Sequence, residues 1–94
     1  MQIIYITDIR PLAPHEEELA LLLPYLRREK TRQYLQQKDR LRCLAGGLLI
    51  EHIAKGREVF YEKYGKPYLP KGPFFNLSHA GDYVCLAVSE TSPV

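Results

Sequence analysis

A chain of 94 residues with 46% hydrophobic composition can build one modest core and is too short for two independent domains. Its net charge of +2, with 26% of residues charged, lies far below the concentrated basic excess of strong nucleic-acid binders, so any anion-binding argument must rest on local clusters. No apolar stretch has the length of a membrane span or the make-up of a secretory signal, which points to a cytoplasmic protein without membrane contact. In that compartment Cys43 and Cys85 read as small, reduced, buried hydrophobes rather than a disulfide.

Met1 to Ile9 holds a β-branched and aromatic run, Ile3 to Thr7, closed by Asp8, Arg10 and Pro11, and predicts an opening strand. Pro14, the acidic turn Glu16 to Glu18, and Leu19, Leu22, Leu23 and Leu26 predict a helix with one leucine face that Pro24 ends or kinks. From Arg27 to about Ala54, apolar residues recur at Tyr34, Leu41, Leu44, Ala45, Leu48 and Leu49, the spacing of one long amphipathic helix that Gly56 stops. Gly46 and Gly47 interrupt it, and a close packing contact would explain them. Glu58 to Pro73 carries Gly65, Pro67, Pro70 and Gly72 among aromatics, hence short extended pieces joined by turns. Phe74 to Leu77 and Tyr83 to Val88 predict a hairpin joined across Ser78 to Asp82, with Val84, Leu86 and Val88 on one face and Tyr83, Cys85 and Ala87 on the other, both open to being covered. Strand, helix, long helix, turns and hairpin together predict an α+β domain spanning 1–94, a small mainly antiparallel sheet packed on the long helix.

Three clusters could carry chemistry. At about 100° per residue, with Arg27 at zero, Lys38 falls near about 20°, Arg42 near about 60° and Lys30 near about −60°, on the apolar side. Arg28, Arg32, Gln36, Asp39, Arg40 and Glu51 take the opposite arc. Inward Arg27, Lys30, Lys38 and Arg42 need partners, which protein carboxylates or a multiply charged anion such as phosphate would supply equally well. Gly65-Lys66-Pro67 combines a permissive turn with an extended, projecting lysine, and an ordinary turn has the same composition. Phe75-Asn76-Leu77-Ser78-His79 delivers a hydroxyl and an imidazole to a turn, where both could meet a phosphate. A nucleophilic triad is excluded, because no Gly-x-Ser-x-Gly elbow is present and adjacent residues do not take up the required geometry. His15 and His52 lack metal-ligand spacing to cysteines or carboxylates and read as structural or exposed.

In this order the motifs resemble those of the large, two-subdomain phosphopantetheinyl transferases, which activate carrier proteins of fatty-acid, polyketide and peptide synthesis. The matching residues are Arg10-Pro11-Leu12, Arg27 to Lys30, Asp39 to Leu49 with Arg42, Gly65-Lys66-Pro67, and Phe75 to Val84. The resemblance covers the N-terminal half of such an enzyme. It implies that Arg27, Lys30, Arg42, Lys66, Ser78 and His79 hold the phosphates of coenzyme A, with Arg27 standing where the family often has lysine. It also implies that the first strand joins the hairpin.

The family reaction moves phosphopantetheine from coenzyme A onto a carrier-protein serine with magnesium. The metal carboxylates of the family lie in an Asp-x-Glu and a further Glu of the second half, whereas this sequence ends Ser89-Glu90-Thr91-Ser92-Pro93-Val94. Glu90 alone is no replacement. The expectation is therefore a coenzyme A-binding half that is inactive alone, takes no magnesium unless a second half supplies ligands, and meets a carrier protein, that missing half or a second copy of itself. The alternative is a non-catalytic module binding coenzyme A or a carrier protein. Nucleic acid is not an expected partner, since basic and aromatic residues are not interleaved as in recognised modules.

Overall fold

The computed structural model describes residues 2–91. Met1, which opens the expected first strand, and the Ser92-Pro93-Val94 end lie outside the described residues. β1 (Gln2–Asp8) uses the β-branched run, and the Asp8 carboxylate ends it by accepting the backbone N–H of Arg10 at 2.9 Å. A 3-10 helix (Arg10–His15) follows, with proline at its start, where a missing N–H leaves no bond unmade. α1 (Glu16–Ala20) carries the acidic residues in its first turn, next to the positive end of its dipole. It is shorter than the leucine pattern predicts, because the N–H groups of Leu22 and Leu23 step back three residues to Leu19 and Ala20 and tighten the chain ahead of Pro24. Pro24 then begins a helix rather than ending one, standing at the N-cap of α2 (Tyr25–Arg32).

The single long helix expected from Arg27 to Ala54 is two. α2 ends at Arg32, and α3 (Gln37–Ala54) starts after an extended Gln36. Arg40 holds the break, donating from Nη1 to the carbonyls of Tyr34 at 3.1 Å and Leu35 at 2.8 Å, while its Nε donates to Glu16 at 2.8 Å. The break lets α2 fold back along α3. α3 is buried at Leu41 and continuously from Cys43 to Gly47, more than a full turn. The one-sided amphipathic pattern is thus replaced by a central helix wrapped by α2, α1, the 3-10 helix and the sheet. Its C-terminus is closed by Lys55 and Gly56, both at positive φ, and by Arg57, which donates to the carbonyls of Ala54 at 2.9 Å and Ile53 at 3.3 Å.

β2 (Phe60–Tyr61) and β3 (Pro67–Tyr68) form a small hairpin turning through Gly65 at φ 89°. β4 (Phe74–Ala80) and β5 (Tyr83–Ser89) form the larger one, with Gly81 at φ 57° in the first position of a two-residue turn. β4 runs three residues past the expected Leu77, so Ser78 and His79 are strand residues rather than turn residues. β1 pairs antiparallel with β5, giving the order β1-β5-β4 and an α+β architecture. Val84, Leu86 and Val88 face the helices and join Leu44, Ala45, Ile50, Ile53 and Phe75 in the core. The other sheet face is not covered: Ile4 is 58% exposed, Ile6 65%, Phe74 45% and Tyr83 47%, with Cys85 and Ala87 half-buried between them.

The glycine pair has the packing role its cost predicts. A Cβ on Gly47 would come within 2.8 Å of Leu23 Cδ2 and 3.0 Å of Arg27 Cγ; one on Gly46 would meet Arg27 Nη2 at 2.8 Å and Leu77 Cδ1 at 3.2 Å. Gly47→Ala is expected to destabilise by roughly 1–2 kcal/mol, overpacking of about 1–3 kcal/mol outweighing the helix-propensity gain of up to about 1. Thermal denaturation reads this as a fall of about 4–8 °C per kcal/mol, and an unchanged or higher Tm would mean that α2 is not seated there.

Burial also raises the Glu51 carboxyl above its usual range. The folded state then holds a proton that the unfolded state releases, so stability falls as pH rises from the unfolded carboxyl value through the folded one. Glu51→Gln should raise Tm at pH 7, with the gain disappearing at acid pH where wild-type Glu51 is already neutral.

Candidate anion-binding cleft

A cleft of about 220 Å³ opens where α2, the start of α3 and the edge strand β4 meet. Arg27, Lys30, Arg42, Ser78 and His79 line it, so five of the six residues singled out from the sequence are neighbours. Lys66 is separate. It borders an adjoining depression of about 240 Å³ with Pro67, Phe75, Asn76 and Leu77, and Leu77 lies on the ridge between the two.

The cations reach this place by a route that the helical wheel does not contain. In one straight helix Arg27 and Gly46 would stand about 28 Å apart at 1.5 Å per residue. Because α2 folds back, the Arg27 guanidinium instead lies in the notch left by Gly46 and Gly47. It is 8% exposed and donates from Nε and Nη2 to the carbonyl of Cys43 at 3.3 and 3.0 Å. Beneath it the buried Thr31 hydroxyl donates to Arg27 O at 3.0 Å and stands 3.1 Å from Cys43 Sγ. Both cysteines are free thiols, Cys43 buried and Cys85 half-buried.

Arg42 is also engaged. Its Nε and Nη2 converge on the Gly81 carbonyl at 3.2 and 2.8 Å, and its Nη1 reaches Asp39 Oδ1 at 3.4 Å. Lys38, expected to point into the same cleft, turns to the far side of the hairpin tip and pairs with Asp82 at 3.4 Å. Arg10 approaches the same carboxylate at 3.9 Å and holds Asp8 at 2.8 Å. Through its side-chain and backbone hydrogen bonds Arg10 keeps the Asp8 carboxyl below the ordinary carboxylate range, and Asp8 raises the Arg10 guanidinium in return. With the Ile9 N–H donating to Asp82 O at 2.9 Å, the hairpin tip is tied to both β1 and α3.

Among the polar side chains that line the cleft, three facing the opening have no protein partner among the described residues. Lys30 is exposed, and no ion pair or hydrogen bond uses its ammonium; the Ser78 hydroxyl and the His79 imidazole are likewise unengaged. His79 shares the helix-facing side of the sheet with Leu77 and Val84, while Ser78 pairs with Cys85 on the alternate side of the pleat. The other two histidines lie elsewhere, His15 4.0 Å from Glu18 and His52 edge-on to Tyr5.

Two lining residues escape a sequence reading. Asp39 was expected on the opposite arc, and Tyr34 in the apolar stripe; both line the cleft. The three-residue spacing of Asp39 and Arg42, which makes them neighbours on any helix, is the signal for the first. For the second it is the helical wheel itself, which puts Tyr34 near about −20°, between Arg27 and Lys30 on the inward arc. Among the described residues Asp39 is the one carboxylate in the lining, and Arg42 holds it. Hard magnesium takes well-placed carboxylates with phosphates and waters, so this donor set does not fit the ion, and among the described residues no group of three His, Cys, Asp or Glu side chains could hold a metal.

No family model matches the chain. Curated relatives do. The chain is 33% identical over 96 aligned positions to a protein of Bacillus subtilis named 4'-phosphopantetheinyl transferase, a match covering 90% of this chain. Over 62 positions it is 40% identical to the 4'-phosphopantetheinyl transferase AcpT of Escherichia coli strains O157:H7 and K12, covering 63% of this chain. The chain is a relative of the phosphopantetheinyl transferases. It spans 42% of the length of the Bacillus relative and 32% of the E. coli ones. Among the described residues no helix is long and apolar enough to cross a membrane.

Proposed function

We propose that this chain is the coenzyme A-binding, N-terminal half of a phosphopantetheinyl transferase, folded as one domain. Arg27, Lys30, Arg42, Lys66, Ser78 and His79 receive the phosphates, and a carrier-protein serine is the eventual acceptor. The observation that carries this reading is the convergence of Arg27, Lys30, Arg42, Ser78 and His79 on one cleft, in a chain whose relatives are named for phosphopantetheine transfer. Lys30 offers a charge, and Lys30 and His79 offer hydrogen bonds, that no protein group uses, which is what a multiply charged phosphate ligand requires. Arg27 acts from behind, contributing charge while its N–H groups stay on Cys43 O. Lys66, across Leu77, would meet a second phosphate of the same ligand.

The cleft's donor set does not fit magnesium, so the metal ligands for transfer would come from the remainder of a longer protein or from a partner. The isolated chain is then expected to load no carrier protein with coenzyme A and magnesium, and turnover by the chain alone would overturn the reading. Calorimetric titration with coenzyme A, with and without magnesium, tests the cleft itself. Lys30→Ala and His79→Ala should each weaken binding roughly tenfold or more, as loss of a charge-assisted hydrogen bond of about 1.5–3 kcal/mol implies. The same donor set favours a second reading, a non-catalytic module for coenzyme A or an acidic carrier protein. Strong metal-independent binding that stays inactive with every added second half would select it.

The uncovered sheet face, which carries the exposed Ile4, Ile6, Phe74 and Tyr83, supports the reading that the remainder of such an enzyme packs there. Without that remainder we propose that a second copy covers it, making the isolated chain a dimer. Light scattering at tens of micromolar should give twice the chain mass, and Ile6→Lys should return a monomer; a wild-type monomer would refute the dimer.

A further inference from the structure

Arg42 has three directed contacts, and their layout divides the guanidinium in two. The edge formed by Nε and Nη2 is closed on the Gly81 carbonyl at 3.2 and 2.8 Å. The edge formed by Nη1 and Nη2 is the one on which a phosphate could lie bidentate, and its Nη1 corner is taken by Asp39 Oδ1 at 3.4 Å. That contact is longer than the two to Gly81. Asp39 is 44% exposed at its side chain, whereas Arg42 is 22% exposed, so the carboxylate is free to swing away while the arginine stays anchored.

Among the described residues Asp39 is also the single negative charge in a lining that otherwise offers Arg27, Lys30, Arg42 and His79. It stands in the first turn of α3, where the helix dipole accommodates a carboxylate whether or not Arg42 is its partner. Among the described residues no hydrogen bond or ion pair other than that to Arg42 uses it, and a lone carboxylate does not fit magnesium.

We propose that Asp39 is an internal counter-anion of the cleft, a residue that occupies the phosphate-facing corner of Arg42 until an anion displaces it, and thereby sets which anions bind. A weakly charged anion gains little from displacing it. A multiply charged one, such as a diphosphate, gains enough from Arg42, Lys30 and His79 together, so Asp39 discriminates by charge rather than shape. This inference rests on the phosphate-cleft reading above, and Asp39 is a specificity-determining residue, not a catalytic one.

The test is titration of the 94-residue chain with inorganic pyrophosphate and with sulfate, at low and high salt, for wild type, Asp39→Asn, Asp39→Ser and Asp39→Glu. Removal of one charge close to the bound anion should tighten pyrophosphate binding by about 3- to 10-fold in both neutral variants. The gain should be smaller for sulfate and should shrink as salt screens it. Asp39→Glu should restore wild-type selectivity, which a merely structural role would not predict. Two neutral variants guard against loss of fold in either one, and thermal denaturation reports that separately. If wild type binds pyrophosphate and the folded neutral variants bind it equally or more weakly, Asp39 orients Arg42 instead of competing with the ligand and the proposal fails. If wild type binds neither pyrophosphate nor coenzyme A, the cleft reading itself fails and takes this one with it.

Discussion

The seat of Arg27 against Gly46 and Gly47 is the contact on which the rest of the cleft depends. A guanidinium that is 8% exposed has to recover the hydration it gives up. It does so on the carbonyl of Cys43, which is reachable because two successive residues of α3 have no side chain in the way. Thr31, one turn further along α2, is buried on the same seam. α2 is thereby fixed in register on α3, and Lys30, on the same short helix, is fixed at the cleft mouth.

The opposite wall has its own fastening, also built from main-chain carbonyls. Gly81 takes the positive φ that a two-residue hairpin turn needs, and its carbonyl receives two N–H groups of Arg42. The neighbouring Asp82 collects Lys38, Arg10 and the Ile9 amide. Each exposed ion pair contributes little alone, yet together they fix the end of β4, where Ser78 and His79 sit, relative to the start of α3. Cations serving the scaffold, Arg27, Arg42 and Lys38, are thus distinct from those left open, Lys30 and Lys66. A basic residue count alone does not make that division.

The strands, the C-terminal hairpin, the stop after α3 and the need for a close approach at the glycine pair were legible in the sequence. β-branched alternation, a Gly-Asp turn and Gly56 are local signals with local causes. The helix break at residues 33–36 was not, because Gln33, Tyr34, Leu35 and Gln36 carry no proline or glycine and suit a helix on propensity. The break is held by Arg40, donating to Tyr34 O and Leu35 O from within the next helix. Pro24 reads equally as a stop or a start, and only the packing of α2 decided for the start.

By itself the sequence determined the element types, the order of the basic and Ser-His motifs, and hence the kinship with phosphopantetheinyl transferases. These depend on neighbours a few residues apart along the chain. Tertiary structure alone decided that Arg27, Lys30 and Arg42 meet Ser78 and His79, that Lys38 does not, and that Asp39 stands among them. Convergence requires α2 to reverse onto α3, which the Arg27 contact to Cys43 across the helix break holds, and β4 to run past Leu77, which cross-strand pairing with Val84 and Cys85 holds; no periodicity within one helix records either.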